Sequence, residues 1–117
     1  IATDPDVVDE YVADPLCGQT FTVGAYGVLA SLVADATDAR LARRVPRDLP
    51  LLFIAGAEDP VGECGRGVSR AVDEYRNAGL RLVEKTIYPG ARHEILNEPI
   101  RETVWADVEA FLARQGV

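Results

Sequence analysis

Hydrophobic residues form two kinds of pattern in the second part of the chain. A continuous apolar run covers residues 49–56, and residues 80–88 form a second predicted strand that Pro89-Gly90 closes. Apolar residues at helical spacing cover 68–75 and a segment that begins near 98. A continuous apolar run is typical of a strand covered on both faces, as in a parallel sheet. The order strand, helix, strand, helix over 49–115 therefore predicts an α/β fold, in which a last helix follows a right-handed βαβ unit.

The first 45 residues have a helical pattern. Apolar residues recur at helical spacing and predict one face of an amphipathic helix, made of Ala25, Val28, Leu29, Leu32, Val33 and Ala36. Val45-Pro46 ends this pattern, because the residue before a proline is pushed out of the α region. We therefore divide the chain into a helical part, 1–45, and an α/β part, 46–117.

Two strands are too few for a stable sheet covered by helices, since open sheets usually have about four to six. The pattern therefore predicts one end of a larger sheet. The sequence contains no Met, so we expect Ile1 to follow a cleavage site or missing upstream residues. A free strand edge is a template for pairing. We expect the remainder of the sheet, or a second copy of the chain, to cover it.

Composition and charge exclude several classes of function. The 117 residues include 12 basic and 19 acidic side chains, and the net charge of −7 disfavours binding to nucleic acid or to an anionic membrane. No apolar run approaches the roughly 20 residues needed for a transmembrane helix. One His and two separated Cys form no zinc site, so we predict no metal and no cofactor. Two cysteines are too few for a disulfide scaffold, and we expect a cytoplasmic protein.

Each loop after a predicted strand offers an ionisable residue, Asp59 in the first loop and His93 in the second. Ligands of open α/β sheets bind at the carboxyl ends of the strands, and adjacent strands lie about 5 Å apart. A carboxylate bonded to one imidazole nitrogen leaves the other nitrogen free as a general base. Either residue alone is more often structural, Asp-Pro as a turn and His as a surface residue. Their joint placement favours a catalytic pair, which requires a nucleophile or an activated water.

These segments resemble a known superfamily. Residues 49–62 resemble the acid-bearing strand and loop of α/β-hydrolases, and 90–98 resemble their histidine loop. Within the superfamily the chain is most similar to the monoacylglycerol-lipase-like and lysophospholipase-like group, also described as serine aminopeptidases. The resemblance implies the C-terminal part of an α/β-hydrolase fold, with Asp59 as the acid and His93 as the base of a Ser-His-Asp triad.

The resemblance also implies a domain organisation. In such proteins a segment like Asp14-Pro15-Leu16-Cys17 lies near the end of the lid. Residues 1–45 would then be the end of the lid or cap region with a connecting helix. Residues 46–117 would be the C-terminal βαβα part of the hydrolase core.

The nucleophile of this superfamily is a serine in a G-x-S-x-G elbow upstream of the acid and base. The chain contains two serines, and neither fits. Ser31 lies inside a helical pattern. Ser69 follows Asp59 and no strand precedes it, so we interpret it as a polar residue at a helix start. Cys64 is a weak candidate nucleophile that could instead line the substrate pocket.

Arg92, next to His93, invites two interpretations. It could tie down its loop by pairing with Glu94 or Glu98, or it could contact the substrate. We favour the first.

We therefore predict the C-terminal part of a serine hydrolase, an esterase or lipase acting on lipid-like carboxylic esters, whose serine lies upstream. The alternative is a non-catalytic fragment or interaction module with the same architecture. Haloperoxidase or acyl-transfer chemistry, which would use the same Asp and His, also remains open. The residues do not specify the acyl chain or the leaving group.

Overall fold

A computed structural model describes residues 1–116, which form five helices and two strands. In chain order the elements are α1 (Pro5–Ala13), α2 (Val23–Ala36), α3 (Ala39–Ala42), β1 (Leu51–Gly56), α4 (Arg66–Asn77), β2 (Val83–Tyr88) and α5 (Arg101–Arg114). From β1 onward this is the predicted alternation of strand and helix. Val117, the last residue of the predicted α/β part, lies outside the described residues.

The two strands pair in parallel, from Leu51 opposite Val83 to Gly56 opposite Tyr88. Helix α4 connects them, which confirms the predicted βαβ unit. Because both strands run in the same direction, their carboxyl ends lie side by side, and the loops that follow them start at neighbouring points. The pairing therefore brings the two predicted site loops together.

The strand β2 begins at Val83, three residues after the predicted start at Leu80. The main-chain N–H of Arg81 donates to the carbonyl of Arg47, in the loop before β1, at 3.0 Å. Leu80 is nevertheless buried, with 5% of its surface exposed. Leu80 thus belongs to the core although it precedes the strand, and the backbone of Arg81 bonds to a loop.

Helices cover both faces of the sheet. One apolar cluster lies on the α4 side and consists of Val72, Leu80 and Val83, with Val45, Leu51, Phe53, Tyr75 and Ala78 against it. The other lies on the α5 side and consists of Tyr88, Ala91, Ile95 and Val104, with Ile54 and Ile100 against it. Successive strand residues point to opposite faces, so Phe53 and Ile54 belong to different clusters. Contacts on both faces explain why β1 is continuously apolar, whereas β2 also carries the exposed Glu84 and Lys85.

Helix α5 begins at Arg101, so Pro99 lies before the helix and not in its first turn. Among its apolar residues, Val104 and Phe111 are buried, whereas Trp105 is 46% exposed. The helix thus contacts the core through the residues that face the sheet, and Trp105 lies at the margin of the contact.

The predicted amphipathic helix is present as α2, but its apolar residues are exposed. Val28 is 61% and Leu32 60% exposed, and no residue of α1 or α2 is buried. No helix within residues 1–116 has the length and apolar character needed to cross a membrane. The radius of gyration is 16.2 Å, against roughly 13 Å for a compact domain of this length. The first two helices therefore add apolar surface to the outside of the chain.

The sequence predicted one helical pattern that ends at Val45-Pro46, but in the structure the helix ends earlier. Helix α2 ends at Ala36 with Thr37 as its C-cap. The carboxylate of Asp38 then accepts the N–H of Arg40 at 2.8 Å and caps α3. An aspartate at this position favours the start of a new helix. The segment is consequently two helices.

Tyr88 joins the sheet to α5 through a buried hydrogen bond. Its side chain is 5% exposed, and its hydroxyl donates to Oδ2 of Asp107 at 2.9 Å. Burial and the Asp107 carboxylate together raise the pKa of Tyr88 to about 12. The fold therefore favours the neutral phenol.

We expect Tyr88→Phe to lower the free energy of unfolding by about 1 kcal/mol at neutral pH, because a buried hydrogen bond is lost. The folded pKa is raised above the unfolded value of about 10. The contribution of Tyr88 is therefore complete below pH ~10 and is lost as the pH rises through about 12. Urea unfolding at about pH 7 and about pH 11 measures it, with the exposed Tyr26→Phe as the control. Equal losses of unfolding free energy in Tyr88→Phe and Tyr26→Phe at neutral pH would contradict this role.

The outer edges of β1 and β2 have no strand partner within residues 1–116. Free edges and exposed apolar faces promote association. We expect the 117-residue chain to sediment as dimers or larger assemblies, and the double variant Leu29→Glu/Leu32→Glu to shift it towards monomer. Ser31→Glu on the same helix is the control. A well-behaved monomer of the unaltered chain at low concentration would overturn this expectation.

Candidate active site

Asp59 is held in the turn that follows β1. Its Oδ1 accepts the N–H of Val61 at 2.9 Å, and the N–H of Cys64 donates to the Asp59 carbonyl at 2.8 Å. The residue is 6% exposed. The Asp-Pro turn expected from the sequence is therefore present, and it leaves Oδ2 of Asp59 for another partner.

The loop after β2 runs beside the loop after β1. The N–H of Ala57 donates to the carbonyl of Tyr88, and that of Glu58 to the carbonyl of Ala91, both at 2.9 Å. Gly56 lies so close to the loop after β2 that a Cβ on Gly56 would overlap the carbonyl oxygens of Ala91 and Arg92. Only glycine fits this approach. These contacts fix the spacing of the two loops beyond the ends of the strands.

His93 and Asp59 meet across these loops, with Nδ1 of His93 3.0 Å from Oδ2 of Asp59. An ionised carboxylate only accepts hydrogen bonds, so Nδ1 carries the hydrogen and Nε2 is left as the basic nitrogen. The His93 side chain is 50% exposed and the Asp59 side chain 8%. The imidazole therefore spans from a buried carboxylate to the surface.

Opposing effects act on the Asp59 carboxyl group. Burial acts to raise its pKa, but the hydrogen bond to His93 and the N–H groups of Val61 and Gly62 outweigh it, and the pKa of Asp59 is lowered. Asp59 is consequently ionised at neutral pH. An ionised acid next to Nδ1 stabilises a positive charge on the imidazole.

A cavity of about 120 Å³ opens beside the pair, lined by Ile1, Asp59, Pro60, Val61, Arg92 and His93. A larger cavity of about 310 Å³ lies next to α4 and is lined by Cys64, Gly65, Arg66, Ser69, Arg70 and Ile87. Cys64, expected as a possible pocket residue, thus lines the neighbouring cavity. Cys17 and Cys64 are both free thiols.

Both serines of the chain lie within helices. The hydroxyl of Ser31 donates to the carbonyl of Gly27 at 3.1 Å, and that of Ser69 to the carbonyl of Gly65 at 2.9 Å. Ser69 lies in the first turn of α4, as expected for a polar residue at a helix start, and Gly65 occupies the N-cap position. Neither serine follows a strand, so neither has the setting of a nucleophile elbow.

Arg92 is joined to Glu98, but not by the predicted ion pair. The main-chain N–H of Arg92 donates to Oε1 of Glu98 at 2.8 Å. Among the ion pairs of residues 1–116, none includes the Arg92 guanidinium. Arg92 also lines the cavity beside His93.

Sequence reasoning missed the contribution of the first residues. The carbonyl of Ile1 accepts the N–H groups of His93 at 2.9 Å and Glu94 at 3.1 Å. Thr3 binds the carboxylate of Glu98. A main-chain carbonyl leaves no signal in the residue types, so only the fold could reveal the first contact. The Glu98-Pro99 segment predicted a helix start, but not a buried carboxylate.

The family model described as serine aminopeptidase, S33, matches residues 1–100. The chain belongs to this family. A monoacylglycerol lipase of Mycolicibacterium smegmatis is 30% identical over 120 residues, which cover 96% of this chain and 38% of the lipase. The predicted membership of the monoacylglycerol-lipase-like group of α/β-hydrolases is thereby confirmed.

Solved structures of the same superfamily superpose on nearly the whole chain. A highly thermostable carboxyl esterase of Bacillus coagulans, in complex with glycerol, has a TM-score of 0.88 at 31% identity and covers 97% of this chain and 37% of the esterase. A lipase in an open form gives the same values. A monoacylglycerol lipase of Paleococcus ferrophilus has a TM-score of 0.71 at 24% identity over 96% of this chain and 41% of its own, and shows the shared fold. The predicted fold class is confirmed, and the chain spans less than half the length of these relatives.

We expect Gly56→Ala to destabilise the chain by about 1–3 kcal/mol, the usual cost of forcing a methyl group into a packed site. Gly27→Ala is the control, because a Cβ at Gly27 meets nothing within 4 Å and alanine favours a helix interior by roughly 0.5–1 kcal/mol. Urea unfolding of the three proteins measures both effects. A Gly56→Ala protein as stable as the parent would show that the two loops are not in close contact.

Proposed function

We propose that this chain supplies the acid and the base of a Ser-His-Asp triad in a hydrolase of carboxylic esters. Asp59 is the acid and His93 the base, and the nucleophilic serine lies on a segment upstream of this chain. The observation that carries the proposal is the 3.0 Å contact between Nδ1 of His93 and Oδ2 of Asp59. Membership of the serine aminopeptidase family supports it.

The geometry of Asp59 and His93 suits the proton transfers that accompany ester cleavage. Nε2 of His93 takes the proton from the serine hydroxyl as the oxygen attacks the ester carbonyl, and it gives that proton to the departing alcohol. The same nitrogen then activates water, which releases the acid and restores the serine. Asp59 holds the imidazole in the tautomer with Nε2 free and stabilises its cationic form in both steps.

The proposed substrates are lipid-like acyl esters. The relatives include proteins described as a monoacylglycerol lipase, a lipase and a carboxyl esterase bound to glycerol. Apolar side chains also dominate the exposed surface of α2, where Leu29 is 45% and Leu32 60% exposed. Such a surface suits an acyl chain or the remainder of the hydrolase core.

The same proposal includes the domain organisation expected from the sequence. Residues 1–45 are the end of a lid or cap region with a connecting helix, and residues 46–117 are the C-terminal part of the core. The remainder of the core, or a second copy, covers the free strand edges. The cytoplasmic location expected from the sequence also remains a prediction.

A non-catalytic interaction module is the second candidate. The observation in its favour is that Ser31 and Ser69 both bond to carbonyls of their own helices. Either candidate leaves the 117-residue chain inactive by itself. The two differ in whether the chain, joined to its upstream sequence, hydrolyses esters.

The test uses the chain joined to its upstream sequence and short-chain nitrophenyl esters as substrates. We expect His93→Ala to lower kcat by about 10⁴-fold or more, with KM changed little, because the base acts in the transition state. Asp59→Asn should cost about 10⁴-fold, since it favours the wrong tautomer. The exposed Glu102→Gln on α5 is the control and should retain activity. Full activity in His93→Ala would rule out the triad assignment.

A further inference from the structure

Glu98 is an acid buried in the turn before α5. Its surface is 0% exposed, and it is one of two buried polar or charged residues described, the other being Asp59. No ion pair among residues 1–116 includes Glu98. Burying a carboxylate is costly unless it is paired or hydrogen-bonded. Its retention inside the chain therefore requires hydrogen bonds that compensate for lost water.

Those hydrogen bonds come from two segments that are distant in sequence. The N–H of Thr3 donates to both carboxylate oxygens at 3.1 Å, and the Thr3 hydroxyl contacts Oε2. The N–H of Arg92 donates to Oε1 at 2.8 Å. One carboxylate thus joins the first residues of the chain to the loop that carries His93.

The main chain of the histidine loop is held at three consecutive residues. The N–H of Arg92 is bonded to Glu98, and the N–H groups of His93 and Glu94 are bonded to the carbonyl of Ile1. Glu98 supports both anchors, because its contact with Thr3 also fixes the segment to which Ile1 belongs. The backbone under the imidazole is therefore fixed on both sides by one carboxylate.

The carboxylate is ionised in this setting. Burial acts to raise its pKa, but the hydroxyl of Thr3 and the N–H groups of Arg92 and Thr3 outweigh it, so that the pKa of Glu98 is lowered. A carboxylate accepts from every one of these donors. A neutral amide could not, because its NH₂ group would face a donor.

We infer that Glu98 is a positioning residue for His93, holding the backbone of residues 92–94 so that Nδ1 stays on Oδ2 of Asp59. The inference rests on the proposed role of His93 as the base. The His93 side chain is half exposed, so the buried carboxylate of Asp59 and the backbone are what restrain it. When the backbone loosens, the imidazole is free to turn towards solvent.

The first test observes the His93–Asp59 hydrogen bond directly. His93 is the only histidine of the 117 residues, so its Nδ1–H gives a single NMR signal after selective ¹⁵N-histidine labelling. We expect Glu98→Gln to cause loss of this signal, because Nδ1–H exchanges with water once the imidazole leaves Asp59. Glu102→Gln, at an exposed glutamate of α5, should leave the signal unchanged. A folded Glu98→Gln chain with the parental signal would overturn the inference.

Thr3→Val keeps the test decisive if Glu98→Gln does not fold. The variant removes one donor to Glu98 and leaves the Thr3 N–H and the carboxylate in place. We expect the Nδ1–H signal to broaden through faster exchange, while the chain remains folded with a lowered thermal unfolding midpoint. An unchanged Nδ1–H signal in folded Thr3→Val would overturn the inference, whatever the behaviour of Glu98→Gln.

Kinetics on the chain joined to its upstream sequence provide the second test. We expect Glu98→Gln to lower kcat by about 10- to 100-fold with KM changed little, the range typical of displacing a reacting group. A change in KM alone would contradict a positioning role. If the unaltered chain joined to its upstream sequence hydrolyses no ester while the NMR results hold, the proposed function fails. The positioning of His93 by Glu98 then still stands.

Discussion

The parallel pairing of β1 with β2 determines where every polar group of the candidate site lies. Because Gly56 and Tyr88 are opposite each other, the two loops leave the sheet at neighbouring points. The absence of a Cβ at Gly56 then lets the second loop approach the first closely. The 3.0 Å contact between His93 and Asp59 follows from this spacing. The apolar clusters on the two faces act on the site through the sheet, since they hold the strands in register.

Two buried carboxylates support the imidazole in different ways. Asp59 contacts the ring and sets its tautomer, whereas Glu98 contacts only the backbone beneath it and the first residues of the chain. Both remain ionised because N–H and O–H donors replace the water that burial removes. The ionised state of the two carboxylates therefore depends on hydrogen bonds, including those from the main chain, more than on ion pairs. The described contacts of Arg92 agree with this, since its peptide and not its guanidinium binds Glu98.

The periodic features of the fold could be predicted from the sequence, and the features set by single hydrogen bonds could not. A continuous apolar run at 49–56 and a second strand segment at 80–88 predicted two parallel strands, and the loops that follow them predicted that Asp59 and His93 would be neighbours. The catalytic role of the pair remains a prediction. The end of α2 was placed too late because one side chain, Asp38, starts a new helix. The contact between Thr3 and Glu98 was missed because residues 95 positions apart in sequence leave no pattern.

That contact closes a very large loop, which contains α1, α2 and the whole βαβ unit. The entropy cost of closing a flexible loop grows only with the logarithm of its length, so doubling the loop costs only about 0.6 kcal/mol. Insertions or deletions between Thr3 and β1 are therefore inexpensive, provided that both anchors beside His93 are kept. The helical region can diverge in length and shape while the geometry of Asp59 and His93 stays constant.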